Sequence, residues 1–349
     1  MTSNEGRSAG RALWFLGFFV ALWGVVGFVM ERGEGETGFF YGPDYLVRTV
    51  MEESPAEAAG VQLGDRVVSI DGTPVEDLPM QSRWRRRPIG ATAEVALQRG
   101  GEALSIEVVF EEIPVERRVR SVRALIVNLA FIGFGLWAYL SVGTPLAFLL
   151  AGICLTRAMA SFPGPHLGPR FEGIGASLQA MAIVAFSFLL LRLFLELPKP
   201  RRIVQSGTIQ KVLWSGLLFT GLLCLAEVAL HPALYMILGY ILMALILPVY
   251  LLLLVLVPWS WVKATAAERR ETGLSLMLLG FLVGLGPGIL RLAIESTFGL
   301  TLPGSDFIPL VEVAIPFFLA LGVRRHAENL GAPPGRSDPV DGEEFLQPV

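Results

Sequence analysis

"SPAEAAGVQLGDRVVSIDG", residues 54–72, is a water-compatible stretch in a chain of 349 residues that is 53% hydrophobic, with mean hydropathy +0.59. Its punctuation reads residue by residue. Ser54, Pro55 and Glu57 have the spacing of a capping box: hydroxyl at the N-cap, proline at the first helical position, carboxylate at the third. Gly60 then ends a short helix. Gly64-Asp65 turns the chain, "RVVSI" (66–70) alternates as a strand, and Asp71-Gly72 is a hairpin-type turn. Beyond Pro79 a short helix is predicted to about Arg87. "TAEVALQ" and "ALSIEVVF" then pair as strands around Gly100-Gly101. With Tyr45–Met51 as a further strand, residues 39–113 are expected to form a small α+β unit, a β-sandwich with two helices.

The rest of the chain has another composition. Only 17% of residues are charged, and the apolar ones come in long blocks. A run of about 20 apolar residues has the length that crosses the hydrocarbon core of a bilayer. Ala12–Met30 is such a run, too long for a signal-peptide core and followed by no small-residue cleavage site. It reads as an uncleaved anchor. Residues 31–38, "ERGEGETG", read as a flexible acidic linker. Further blocks are Ala124–Val142, Leu146–Phe162, Ile174–Leu197, Val212–Leu230, Leu234–Val257, Leu274–Ile294 and Phe307–Val323. The expected fold class is therefore a polytopic α-helical membrane protein of about eight helices, with the α+β unit between the first and second. Residues 1–30 hold the N-terminus and anchor and residues 124–323 a seven-helix membrane domain. The Pro/Gly-rich acidic tail 324–349 reads as disordered.

Lysine and arginine in the short loops set the orientation. Arg7 and Arg11, then Lys199, Arg201, Arg202 and Lys211, then Lys263, Arg269 and Arg270, then Arg324 and Arg325 all fall on one side. That side is expected to be the cytoplasm, with both termini in it and residues 39–113 outside. The basic "ERRVRSVR" (116–123) departs from the pattern, but the rule weakens after so long an insert. The net charge of −3 argues against a nucleic-acid partner.

The order and turns of 39–113 resemble a PDZ domain of the bacterial, periplasmic type. "SPAEAAGVQLGDRVVSIDGTPV" follows that family's Ser-Pro-Ala…Ala-Gly…Gly-Asp…Ile…Asp-Gly…Val pattern. The glycines and Asp65 serve folding in this pattern. The resemblance implies capture of an extended peptide by strand addition beside a helix, with loop N–H groups holding a terminal carboxylate. On this reading the peptide strand is Tyr45–Met51 and the loop Phe39–Asp44. The site residues are Tyr41, Gly42, Tyr45, Leu46 and Val47, with Met80 and Trp84 from the helix. "FFYGPDYL" replaces the family's alternation of glycine and hydrophobic residues, and Pro43 lacks an N–H.

An anchor helix, an external PDZ domain and about seven further helices resemble the N-terminal input region of membrane histidine kinases and of SpoIIE-type phosphatases. "LLRLFLELPKPRR" (190–202), "GFLVGLGPGIL" (280–290) and "IPFFLALGVRRH" (315–326) carry this likeness. No histidine box, ATP-lid motif or phosphatase domain follows His326. The resemblance thus implies an output on a partner, such as a cytoplasmic kinase or regulator, or a module turned to another use.

Motifs for chemistry are missing. None of His166, His231 and His326 sits in HExxH. Ser177 has no histidine placed to serve as its base. Cys154 and Cys224 are far apart in apolar blocks and form no metal pattern. Gly280, Gly284 and Gly288 recur every four residues and predict a close-packed helix face. Pro287 can kink or open that helix. Ionisable residues within apolar blocks are costly and face bundle interiors. Arg157, Glu227, Arg291 and Glu312 are expected to form a polar cluster toward the outer ends of their helices, with an Arg291–Glu312 pair. Arg192 and Glu196 are expected at the opposite interface.

The sequence thus predicts a non-enzymatic sensory or receptor-like module of a bacterial cytoplasmic membrane, with no cofactor and no metal. It would bind a peptide or other external ligand and signal to a cytoplasmic partner. A membrane scaffold that recruits exported proteins through the PDZ domain is the alternative. The bilayer is the other expected partner.

Overall fold

The two compositions form two separate hydrophobic cores, one among helices and one among short strands. The computed structural model describes residues 3–42, 44–78, 87–162, 164–165, 172–197, 207–230, 234–298 and 305–331. Helix α1 (Ser3–Glu31) leads into the strand-rich unit, and helix α3 (Val115–Val142) leaves it.

Between them lie β1 (Glu34–Glu36), β2 (Phe39–Tyr41), β3 (Val47–Val50), α2 (Pro55–Ala58), β4 (Arg66–Ile70), β5 (Thr73–Pro74), β6 (Arg87–Pro88), β7 (Thr92–Arg99), β8 (Glu102–Val109) and β9 (Glu111–Glu112). Strands β5-β4-β7-β8 form an antiparallel sheet in that order, and β2-β3 pair in a second. Alternation along β7 sends Ala93, Val95 and Leu97 inward, where they meet Val67, Ile70, Val108 and Phe110. The local signals of residues 54–72 act as read. Ser54 Oγ accepts from the Glu57 N–H at 3.3 Å, and Gly60 ends α2 with φ +86°. The Glu57 carboxylate instead accepts from the Glu53 N–H at 2.7 Å, one residue before the cap. Asp71 and Gly72 both have positive φ, 49° and 74°, as a type I′ hairpin requires.

Two boundaries differ from expectation. Residues 31–38 are not a flexible linker: β1 is the middle strand of a sheet, with Gly35 opposite both Arg87 and Glu112. Gly35 is what permits this, since a Cβ there would fall 2.7 Å from the Glu111 carbonyl oxygen. The unit therefore begins before residue 39, and β1 and β9 close it beside the helices that flank it. At the other end, the last helix does not stop at Val323. It runs to Asn329, held by an Arg324–Glu328 pair at 2.8 Å and by Asn329 Nδ2 donating to the Glu271 carbonyl at 2.9 Å. The rest of the expected tail, 332–349, lies outside the described residues, as does the expected helix over 79–86.

The remaining helices are α4 (Pro145–Ser161), α5 (Glu172–Glu196), α6 (Thr208–Leu230), α7 (Leu234–Lys263), α8 (Ala266–Glu271), α9 (Leu274–Phe298) and α10 (Ala314–Asn329). Helix α4 is wrapped by α3, α5, α1 and α10, so Leu150, Cys154 and Ala158 on it are fully buried. Gly143 (φ +61°) caps α3, and Thr144 Oγ1 accepts from the Ala147 N–H to start α4. Among the described residues five helices are long and apolar enough to cross a membrane: Gly10–Glu31, Arg117–Val142, Ser177–Glu196, Tyr240–Lys263 and Leu274–Arg291. This is consistent with a membrane protein. Their exposed side chains, such as Phe15 and Phe18 on α1 and Leu254 on α7, present the apolar surface that a bilayer would cover.

The block expected as an eighth helix over 307–323 divides in two. Ser305–Val313 is 3₁₀ and only Ala314 onward is α-helical. Pro309 removes one N–H that an α-helix would use there. Helix α9, by contrast, stays continuous through Pro287.

Candidate peptide-binding domain and polar cluster

The strand expected to receive a peptide, Tyr45–Met51, is held at its start on the side away from β2. The Val47 N–H donates to the Asp65 carbonyl at 2.8 Å, and the Gly64 N–H donates to the Val47 carbonyl at 2.9 Å. The Val67 N–H donates to Tyr45, and Leu46 bridges to Arg66. Strand β3 thus pairs with β2 along one side, and only its first residue also meets the chain entering β4 on the other. Phe39–Asp44 is expected from the sequence as a loop, but Phe39–Tyr41 is strand β2, paired Phe39↔Val50 and Phe40↔Thr49. The turn lies later, at Gly42–Leu46. There the Gly42 N–H donates to Leu46, and Tyr45 takes φ +61°. A run of aromatic residues before a Gly-Pro-Asp signal is compatible with either reading. Only the pairing with Val47–Val50 decides it.

Of the predicted site residues, Tyr41 and Val47 are buried in the domain core and Gly42, Tyr45 and Leu46 form or flank the turn. Met80 and Trp84 lie outside the described residues. In the two-stranded sheet β2-β3, β2 comes first in the chain. The segment leading into it is Thr37-Gly38: Gly38 (φ +81°) packs against Ser54, and the Thr37 carbonyl accepts from the Ala56 N–H at 2.9 Å.

One residue missed in the sequence joins this strand to the helices. Arg117, in the first turn of α3, pairs with Glu36 of β1. Its guanidinium lies 5.3 Å from the ring centroid of Phe40 in β2, and its Nη2 is 3.0 Å from Met51 Sδ. A cluster of four arginines in "ERRVRSVR" was legible, but nothing in it singles out Arg117.

The polar cluster is partly assembled. Arg157 Nη2 on α4 lies 3.2 Å from Glu312 Oε2, and Arg157 also donates to the Ser161 hydroxyl and lies over the Phe131 ring. The pair is half-buried, with side-chain exposures of 26% and 30%. The expected Arg291–Glu312 pair is corrected here. Gly284 of α9 is the residue level with Glu312, whose Cα is 3.6 Å from a Cβ built there. Arg291 is seven residues further on, about 10 Å along the helix axis. Glu227 is on α6, and its side chain lies outside the described residues. Arg192 and Glu196 pair with each other at 2.8 Å. A double-mutant cycle on Arg157→Leu and Glu312→Leu should give a coupling of about 1 kcal/mol in detergent unfolding, and the Arg291/Glu312 cycle none. Coupling in the second cycle and none in the first would reverse this placement.

Among the described residues no group of three or more His, Cys, Asp or Glu side chains is disposed to hold a metal. What the strand unit offers is a backbone edge and aromatic side chains, the chemistry of peptide recognition. Comparison with known families agrees: residues 24–109 match the PDZ domain. The chain carries a PDZ domain, a module that binds peptide or protein segments. No curated protein matches the chain.

Proposed function

We propose that the chain is a receptor-like module of a bacterial cytoplasmic membrane, in which the PDZ domain takes up an extended peptide or protein segment along β2. The module binds and relays without catalysing a reaction. Both termini lie in the cytoplasm, the PDZ domain lies outside, and the helices pass its state to a cytoplasmic partner. The observation that carries this reading is Arg117. One side chain, rooted in a helix of membrane-spanning character, touches β1, β2 and the end of β3 together. A segment added beside β2 alters the surroundings of the residues that hold this helix.

Photo-crosslinking tests the site. With the full chain in detergent and a library of extended peptides, a benzophenone amino acid replacing Phe40 should capture bound peptide. The same group at Val68, which is 47% exposed on β4, should not. Capture at Val68 alone would move the site to another sheet. Orientation is tested separately. Glu102, exposed at the β7–β8 hairpin, and Arg325, exposed on α10, should as cysteines differ toward a membrane-impermeant thiol reagent in spheroplasts. Labelling is expected at position 102 only, and labelling at 325 only would invert the topology.

A further inference from the structure

Four arginines stand close together where the PDZ domain meets the helices, and they are not equivalent. Arg117 is held by Glu36 and Arg118 by Glu112. Arg120, exposed on α3, and Arg32, exposed after the end of α1, make no ion pair among the described residues. Arg32 only lies over the Phe28 ring, 4.9 Å from its centroid.

These two arginines border a cleft made of two adjoining cavities of about 350 and 300 Å³. Arg32, Arg118, Ile113 and Val122 line the first, and Arg120, Leu125 and Phe162 line the second. Phe28, Glu31 and Ser121 line both. Glu31 and Glu34 also stand on the walls, and each is already engaged in a contact of its own. The cleft, which Glu112 also lines while holding Arg118, thus keeps two arginines, Arg32 and Arg120, with no ion pair among the described residues. Its level is set by the helices: the apolar span of α1 ends at Glu31 and that of α3 begins at Arg117. The cleft thus has a charged rim at the end of both spans and apolar walls of Phe28, Leu125 and Phe162.

We propose that this cleft is a binding site for an anionic phospholipid. The headgroup phosphate lies between Arg32 and Arg120, and one acyl chain lies against Phe28, Leu125 and Phe162. Guanidinium groups bind phosphate oxygens through charge-assisted hydrogen bonds, and basic residues at a membrane boundary attract anionic lipid. A bound lipid would fill the space between α1 and α3, beside the Arg117 contact with β2. The site rests on the membrane reading above, which alkaline-carbonate extraction of the wild-type chain tests by itself.

The experiment titrates the full chain in detergent with phosphatidylglycerol, with phosphatidylcholine of the same acyl chains, and with glycerol 3-phosphate, reading bound lipid by native mass spectrometry. Phosphatidylglycerol should bind in preference to phosphatidylcholine. The double variant Arg32→Gln/Arg120→Gln should weaken its binding about tenfold or more. Arg325→Gln, an exposed arginine on α10, should leave it unchanged. Leu125→Trp, which fills the apolar wall with both arginines intact, should also weaken it. Equal binding of the two lipids would overturn the proposal, as would undiminished binding by the double variant. Glycerol 3-phosphate binding as well as the lipid would overturn it too, since the site would then be one for a soluble anion.

Discussion

Gly322→Leu is expected to separate the last two helices and to lower the unfolding temperature of the chain in detergent. Helices α9 and α10 approach closely enough that a Cβ at Gly322 would lie 2.8 Å from Met277 Cγ and 3.0 Å from the Gly273 carbonyl oxygen. The second contact is backbone, so a side-chain rotation does not relieve it. Overpacking of this kind costs about 3 kcal/mol when the backbone must move. Gly280 and Gly284 lie on the same contact, where a Cβ would meet Phe318 Cβ at 2.8 Å and Ile315 Cδ1 at 3.0 Å. Gly288 is the internal control. Nothing lies within 4 Å of a Cβ built on it. Gly288→Ala should therefore be neutral or raise the unfolding temperature slightly, by the roughly 0.5–1 kcal/mol that alanine gains over glycine in a helix. Equal losses at 288 and 322 would mean that the two helices do not meet along this stripe.

Asp65→Ala is expected to destabilise the PDZ domain by about 2–3 kcal/mol, because a charged acceptor with several donors is lost. Asp65 is 1% exposed. It accepts from Arg99 Nε at 2.7 Å, from Arg99 Nη2 at 2.8 Å and from the Gln62 N–H at 2.8 Å. The same Arg99 Nη2 also reaches the Gly60 carbonyl at 2.7 Å, so one side chain on β7 ties the end of α2 to the start of β4. The hydrogen bonds from Arg99 hold the Asp65 carboxyl below its ordinary value of 3.8, against the opposing effect of burial. A carboxyl whose pKa is lower folded than unfolded contributes stability that is complete above the unfolded value. That contribution is lost as pH falls through the folded one. Hydrogen exchange of β4 and β7 in the full chain should therefore quicken below about pH 4. Asp65→Asn should be destabilised at neutral pH and show a weaker acid dependence. An unchanged acid dependence in Asp65→Asn would assign it to other carboxylates.

What was legible in this chain was local. The capping residues at 54–57, the turn at Asp71-Gly72 and the alternation of β7 and β8 each depend on side chains within a few positions, and each formed where the residues put it. The apolar blocks were legible for the same reason, since span length is a property of consecutive residues. The lengths of α3 and α10 were less so. Polar residues continue both helices beyond the apolar blocks, Arg117 through its pair with Glu36 and Asn329 through the Glu271 carbonyl. Neither partner is near in sequence.

The sequence by itself determined that a PDZ domain sits after the first of several long apolar helices; the close-packed face it predicted at Gly280, Gly284 and Gly288 forms at the first two and not at Gly288. The tertiary structure decided that Phe39–Tyr41 is a strand and not a loop, because only its pairing with Val47–Val50 makes it one. It decided that residues 34–36 are a central strand, which depends on β6 and β9 arriving from 51 and more residues away. It also decided that Glu312 meets Arg157. A charge in an apolar helix must find a counter-charge, but which one it finds depends on how the helices are arranged and at what height, and neither is written in the spacing of either residue.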